Sequence, residues 1–159
     1  PCEGPGDLHD RLERLQARLR CPVALDESWT TVAQLREILK THPGLRCIVV
    51  KLAKFGGVKP ALDFCRQAHE RGIEFWLGGM YDTGISKRLH AAFAMLPGSS
   101  LPGDISDTAA YFKMDICNPP FELNNGMLEV NPSAWSTGLG CDLNEQEIAN
   151  VAVDYRVFD

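Results

Sequence analysis

A short apolar run that stops at a charge or a glycine pair, followed by an amphipathic helix, recurs about every 25 residues along most of this chain, and that recurrence leaves few folds open. Residues 7–19 place Leu8, Leu12, Leu15 and Leu19 at offsets of four, three and four, one face of a helix. Cys21-Pro-Val-Ala-Leu-Asp26 follows, an apolar run ending in acids, as expected of a strand covered on both faces whose end opens onto a polar site. Thr30 and Thr31 offer N-caps for a helix over 31–41, closed by His42-Pro43-Gly44. Then Cys47-Ile-Val-Val-Lys51 leads through Gly56-Gly57 into a helix over 58–71, with Ala61, Leu62, Cys65 and Ala68 inward and Gly72 as its stop. Glu74-Phe-Trp-Leu77 leads through Gly78-Gly79 into a helix over 84–96, with Leu89, Ala92, Phe93 and Leu96 inward. A weaker fourth run, Ser100-Leu-Pro-Gly-Asp104-Ile, carries a proline suited to a strand's start rather than its centre.

Strand–helix repeats of this kind predict parallel β/α architecture with right-handed crossovers. An open doubly wound sheet would carry a phosphate loop after its first strand, and neither a G-x-G-x-x-G nor a P-loop pattern occurs. In a (β/α)8 barrel the chemistry sits at the C-terminal ends of the strands. Here those ends carry Glu3 (closing a stub before the first helix), Asp26, Lys51, Gly78-Gly79 and Asp104. The expected fold is therefore α/β, half of a (β/α)8-type barrel, which the resemblance drawn below makes the C-terminal half, about strands 4–8. From about residue 113 the pattern changes: 121–130 alternates around Asn-Asn-Gly126, a hairpin signal, 144–148 suggests a short helix and 154–159 an extended end. The expected organisation is a partial barrel over 1–112 and a C-terminal extension over 113–159, packing on the barrel or on a capping domain, with no linker or low-complexity stretch between them.

Composition narrows the function classes. The 159 residues carry a formal net charge of -5 with scattered Lys and Arg, which gives no electrostatic footprint for nucleic acid. No apolar run reaches the ~18–20 residues of a membrane span, and the N-terminus lacks the features of a signal peptide. The six cysteines are widely spread, several within apolar runs, which favours reduced thiols in a cytoplasmic protein over a disulfide framework. His9, His42, His69 and His90 lie in helical patterns without zinc-ligand spacing.

Glu3 and Asp26, at the exits of successive strands, would meet over the barrel mouth, where two carboxylates repel unless protonated or bridged by a hard cation such as Mg2+; two unrelated surface acids are the alternative. Lys51, ending four apolar residues, is a candidate acid/base, against a lysine that snorkels to solvent or pairs with Asp26, and Lys54 ranks behind it. The glycine pairs permit close backbone approach or tight turns. Trp29, Trp76 and Met80 suit a pocket lining or core packing, and Asp104 and Asp107 suit the site or a helix cap.

Taken together, Cys2-Glu-Gly-Pro5, Ala24-Leu-Asp-Glu-Ser28, Val50-Lys-Leu-Ala-Lys-Phe-Gly-Gly57, Trp76-Leu-Gly-Gly-Met-Tyr-Asp-Thr-Gly-Ile85, Leu101-Pro-Gly-Asp104 and Gly138-Leu-Gly140 resemble the C-terminal half of an enolase-superfamily enzyme. The nearest branch is the muconate-lactonizing type, in its o-succinylbenzoate synthase/N-acylamino acid racemase group. The resemblance implies a Mg2+ ion held by three carboxylates, with Glu3 and Asp26 as the fourth- and fifth-strand ligands. It implies Lys51 as the sixth-strand lysine and Gly78, Gly79 and Met80 as the seventh-strand segment beside a small carboxylate substrate. The implied chemistry is proton abstraction α to a carboxylate, with the metal stabilising the charge that develops. In the synthases a second-strand lysine moves the proton and the sixth-strand lysine stabilises charge; in the racemases the two exchange roles. Two positions depart from the pattern: Gly4 follows Glu3 where Gln or Glu is common, and Asp82 stands where Glu is common.

A third carboxylate, the second-strand lysine and a capping domain have no counterpart here, so the expectation is a fragment, inactive alone, that needs an N-terminal half in cis. A split gene with a partner chain, or a half replaced by dimerisation, are the alternatives, and assembly into homo-oligomers when full length stays open. The reaction expected is dehydration to o-succinylbenzoate in menaquinone biosynthesis. N-acylamino acid racemase or dipeptide epimerase is the alternative with the same machinery, and a non-catalytic half-barrel or interaction module the alternative of another class.

Overall fold

The computed structural model describes residues 5–29, 31–128 and 138–154. They form two compact units: one runs to Gly78 and takes in Met95–Gly103, the other comprises Gly79–Ala94 and the chain from Asp104 onward.

The first unit orders α1 (Pro5–Arg18), β1 (Ala24–Leu25), α2 (Val32–Thr41), β2 (Cys47–Val50), a 3-10 turn (Leu52–Phe55), α3 (Val58–Glu70) and β3 (Glu74–Leu77). The strands lie parallel in the order β1-β2-β3, with Leu25 opposite Ile48 and Val50 opposite Leu77. All four residues of β2 are buried, which is why its sequence is a continuous apolar run without alternation. Thr31 caps α2: its hydroxyl accepts from Gln34 N at 3.2 Å while Gln34 Oε1 accepts from Thr31 N at 3.1 Å. Gly72, at φ +70, supplies the left-handed residue that ends α3 and turns the chain into β3. Trp29, Phe55 and Phe64 pack as an aromatic cluster, with ring centroids 4.9–6.5 Å apart, so Trp29 is core.

Three local expectations change. β1 is only two residues long, because Gln16 of α1 captures the preceding segment: its side chain donates to Cys21 O at 3.0 Å and accepts from Val23 N at 2.7 Å. In α3 the buried face includes Phe64, while Leu62 is half-buried. No strand forms over 100–105; contact with β3 is a single parallel bridge, Phe75 to Ser99, before Pro102 can interrupt a ladder.

The second unit contains α4 (Gly84–Ala94), a 3-10 turn (Thr108–Ala110), β4 (Cys117–Asn118), β5 (Asp142–Leu143) and α5 (Glu145–Val151). β4 and β5 pair antiparallel. Of the hairpin anticipated over 121–130, whose last two residues lie outside the described residues, the structure shows one bridge, Asn124 to Met127, around Asn125 and Gly126 at φ 52 and φ 74, the two positive angles of a type I′ turn. Upstream of the turn, Phe121 N and Leu123 N donate to the carboxylates of Asp115 and Asp107. α4 buries Lys87, Arg88, His90, Ala91 and Phe93, whereas Leu89, Ala92 and Leu96 are half-buried. Lys87 and Arg88 can face inward there because backbone carbonyls accept from them: Lys87 Nζ donates to Ser106 O at 2.8 Å and Arg88 Nη2 to Pro119 O at 2.9 Å. The expected end over 154–159 lies, apart from Asp154, outside the described residues, as do Cys2 and Glu3. Among the described residues the cysteines are free, and no helix is long and apolar enough to cross a membrane.

Asp115 organises this unit. Its carboxylate, 7% exposed, accepts from Gly84 N at 3.0 Å, Thr108 Oγ1 at 2.8 Å and Phe121 N at 3.0 Å. Burial alone would raise its pKa, but these donors together hold it below the ordinary carboxylate value. A depressed pKa contributes stability that is present above the ordinary value and lost as pH falls through it toward the folded one. Unfolding free energy should therefore decline as pH falls below about 4. Asp115→Ala should cost on the order of 3 kcal/mol in denaturant unfolding and flatten that acid-side decline. An unchanged midpoint would show that the carboxylate does not organise the unit.

Candidate active site

The parallel register brings the ends of β1, β2 and β3 out on one edge of the sheet, where Asp26, Lys51 and Gly78 are the next residues along the chain. The Lys51 side chain is nine-tenths buried, and its Nζ lies 3.0 Å from Asp26 Oδ1 and 3.1 Å from Glu27 Oε1. Contact with the Asp26 carboxylate raises the Lys51 pKa above its ordinary value, against the opposing effect of burial and with further help from Glu27. The arrangement is a fixed positive charge at the strand ends, able to meet a carboxylate or stabilise developing negative charge.

Lys54 has a different task. Its ammonium donates to Asp26 O at 3.2 Å and Trp29 O at 2.9 Å and lies 4.5 Å from the centre of the Trp29 ring. It therefore fastens the loop that carries Asp26 and Glu27. Neither this role nor that of Glu27 follows from spacing, although the adjacency of Asp26 and Glu27 was visible. Gly78 donates its N–H to Val50 O at 3.0 Å and runs beside the Lys51 stem.

The second unit opens at Gly79, where an added Cβ would stand 2.2 Å from Asp104 O, so only glycine admits that backbone. Met80 is 54% exposed. Its N–H donates to Asp82 Oδ2 at 2.8 Å, and that oxygen faces the buried His90 Nδ1 at 3.9 Å. Burial foremost lowers the His90 pKa, against the nearby Asp82 charge and with help from Lys87. Thus Asp26, Lys51 and Gly78 come together in the first unit, Gly79 and Met80 belong to the second, and Glu3 lies outside the described residues.

No group of three His, Cys, Asp or Glu side chains converges as a metal centre among the described residues. The donor type nevertheless fits a hard divalent cation. Asp26 Oδ1 is buried, and its partner among the described residues is a cation, the Lys51 ammonium.

The pinning role of Lys54 is testable by stability. Lys54→Ala should lower the unfolding free energy by about 1–2 kcal/mol and speed amide exchange across 26–29. Unchanged exchange would remove it from that role.

Residues 1–147 match a family described as enolase C-terminal domain-like. The chain is similar to an o-succinylbenzoate synthase of Bacillus subtilis, 33% identical over 147 residues that cover 91% of this chain and 38% of the relative. It is also similar to an N-succinylamino acid racemase of Thermus thermophilus, 34% identical over 94% of this chain and 39% of the relative. Among solved structures, an enolase-superfamily member from Listeria innocua superposes with a TM-score of 0.73 at 30% identity, covering 94% of this chain and 39% of that one. The chain thus spans under two-fifths of the length of these relatives.

Proposed function

Because this chain belongs to the enolase C-terminal domain-like family, we propose that it is the C-terminal half of the barrel of a Mg2+-dependent enzyme that removes a proton α to a carboxylate, and that its reaction is the dehydration yielding o-succinylbenzoate in menaquinone biosynthesis. The observation that carries this reading is the nine-tenths-buried Lys51 side chain, its ammonium held by Asp26 and Glu27 at the ends of parallel strands. The relatives named o-succinylbenzoate synthase, about one-third identical over most of this chain, support it.

In this reading Asp26 and Glu3 contribute oxygens to a divalent cation, completed by a carboxylate from an N-terminal half in cis. When bound, such a cation stabilises the negative charge that develops on the substrate carboxylate as the proton leaves. Lys51 keeps its proton and presents positive charge to the face opposite the base, which comes from the N-terminal half. Lys54 holds the Asp26 loop in place, and the segment Gly78, Gly79 and Met80 lines the substrate side. Racemisation of N-succinylamino acids is the second reading, favoured by the Thermus thermophilus relative; there Lys51 itself takes or returns a proton.

The test is assay of the full-length protein for o-succinylbenzoate formation and for N-succinylamino acid racemisation. Activity in the first supports the reading, activity only in the second replaces it, and activity in neither removes it. Within an active protein, Lys51→Ala should lower kcat at least about 100-fold with the fold retained by circular dichroism. Asp26→Asn should weaken Mg2+ binding by about tenfold or more in calorimetry, the scale found even for groups that merely support a ligand. Unchanged affinity would remove Asp26 from the ligand set.

A further inference from the structure

Gly78 stands beside Lys51 at the end of β3 and hydrogen-bonds to the ladder through Val50 O. Its φ lies outside the left-handed region, so the backbone does not require glycine for conformational reasons. Space does. A β-carbon at position 78 would stand 2.6 Å from Val49 Cγ1, 3.1 Å from Lys51 Cε and 3.2 Å from Lys51 Cγ. Val49 and Lys51 are two residues apart along the chain and so share a face of the sheet. The Lys51 stem thus occupies the room that a side chain on Gly78 would take. With 8% of the residue exposed and Nζ tied to two carboxylates, the stem cannot move aside without carrying the ammonium with it.

We infer that Gly78 is a positioning residue for Lys51, its missing β-carbon forming the channel through which the lysine stem reaches Asp26 and Glu27. This rests on the reading of Lys51 given above and adds to it, since Gly78 then acts through the lysine whether or not its backbone also faces substrate. Contacts near 3.1 Å ask for a shift of a few tenths of an ångström at Cε. Catalysis is sensitive to such displacements, a misplacement of about 1 Å costing on the order of 100-fold.

The experiment compares Gly78→Ala, Val49→Ala and the pair in the full-length protein, after the unsubstituted protein has been shown to turn over a carboxylate substrate. Failure at that first step counts against the proposed function; everything after it bears on Gly78. Gly78→Ala should lower kcat about tenfold or more, with KM within about threefold, as expected when a charge used in the transition state is displaced. Val49→Ala removes the closest contact, so the double variant should regain thermal stability relative to Gly78→Ala while kcat stays low. Recovery of kcat along with stability, or an unaltered kcat in Gly78→Ala, would overturn the inference.

Should Gly78→Ala alone fail to fold, the two contacts are separated by rescue. The inference requires that Gly78→Ala cost less thermal stability in a Lys51→Ala background than in the native one. Additive effects of the two substitutions would show that they do not touch and would overturn it.

Discussion

The parallel ladder of β1, β2 and β3 is the constraint from which the rest of the site follows. Parallel strands share one direction, so their C-terminal ends emerge on the same edge, and a register fixed by buried apolar residues leaves no freedom to slip. Ile48, Val49, Val50, Phe75 and Leu77 are each at most 2% exposed and set that register. The residues that follow them are thereby brought abreast whatever their chemistry. An ammonium placed there is desolvated by its neighbours, and its burial is tolerable because two carboxylates from the adjacent strand end meet it within 3.1 Å.

Elements with one strong, local cause were legible in the sequence. β2 and β3 are short apolar runs with clear stops, α2 carries a capping residue and α3 a terminating glycine turn, so pattern and structure agree within a residue or two. The departures arise where a distant partner outweighs local pattern. Gln16 takes hydrogen bonds that would have lengthened β1. The inward face of α4 could not be read from hydrophobic periodicity, because Lys87 and Arg88 become acceptable inside only once carbonyls of Ser106 and Pro119 stand ready to accept. The site divides in the same manner: Asp26 and Lys51 stand out as charges closing apolar runs, while the parts of Glu27, Lys54 and Gly78 depend on side-chain paths that only coordinates give.

The two units hold together by different means. In the first, aromatic and aliphatic side chains pack around Trp29, Phe55 and Phe64 beside a sheet. In the second, the described strands are two residues long and a buried carboxylate draws a helix start, a 3-10 turn and a loop to one point. A polar hub of this kind is directional, so it fixes where its partners sit but tolerates little change: a methyl on Gly84 would stand 2.2 Å from Asp115 Oδ2. The segment holding Gly79 and Met80 leads directly into the helix start anchored on that hub.

Charge arithmetic limits how a divalent cation could be held at these strand ends. Asp26 and Glu27 bring two negative charges, and the ammonium groups of Lys51 and Lys54, the latter bonded to Asp26 O and Trp29 O, bring two positive ones. This neighbourhood is therefore close to neutral without a metal, and a dication added to it would be attracted by Asp26 and repelled by the lysines. Net attraction requires carboxylates from elsewhere, which is the part that the resemblance gives to Glu3 and to a strand outside this chain. In the proposed reading, the lysine that would make a developing negative charge tolerable also weakens these strand ends as a cation site by themselves, so that metal binding would be coupled to carboxylates supplied from elsewhere.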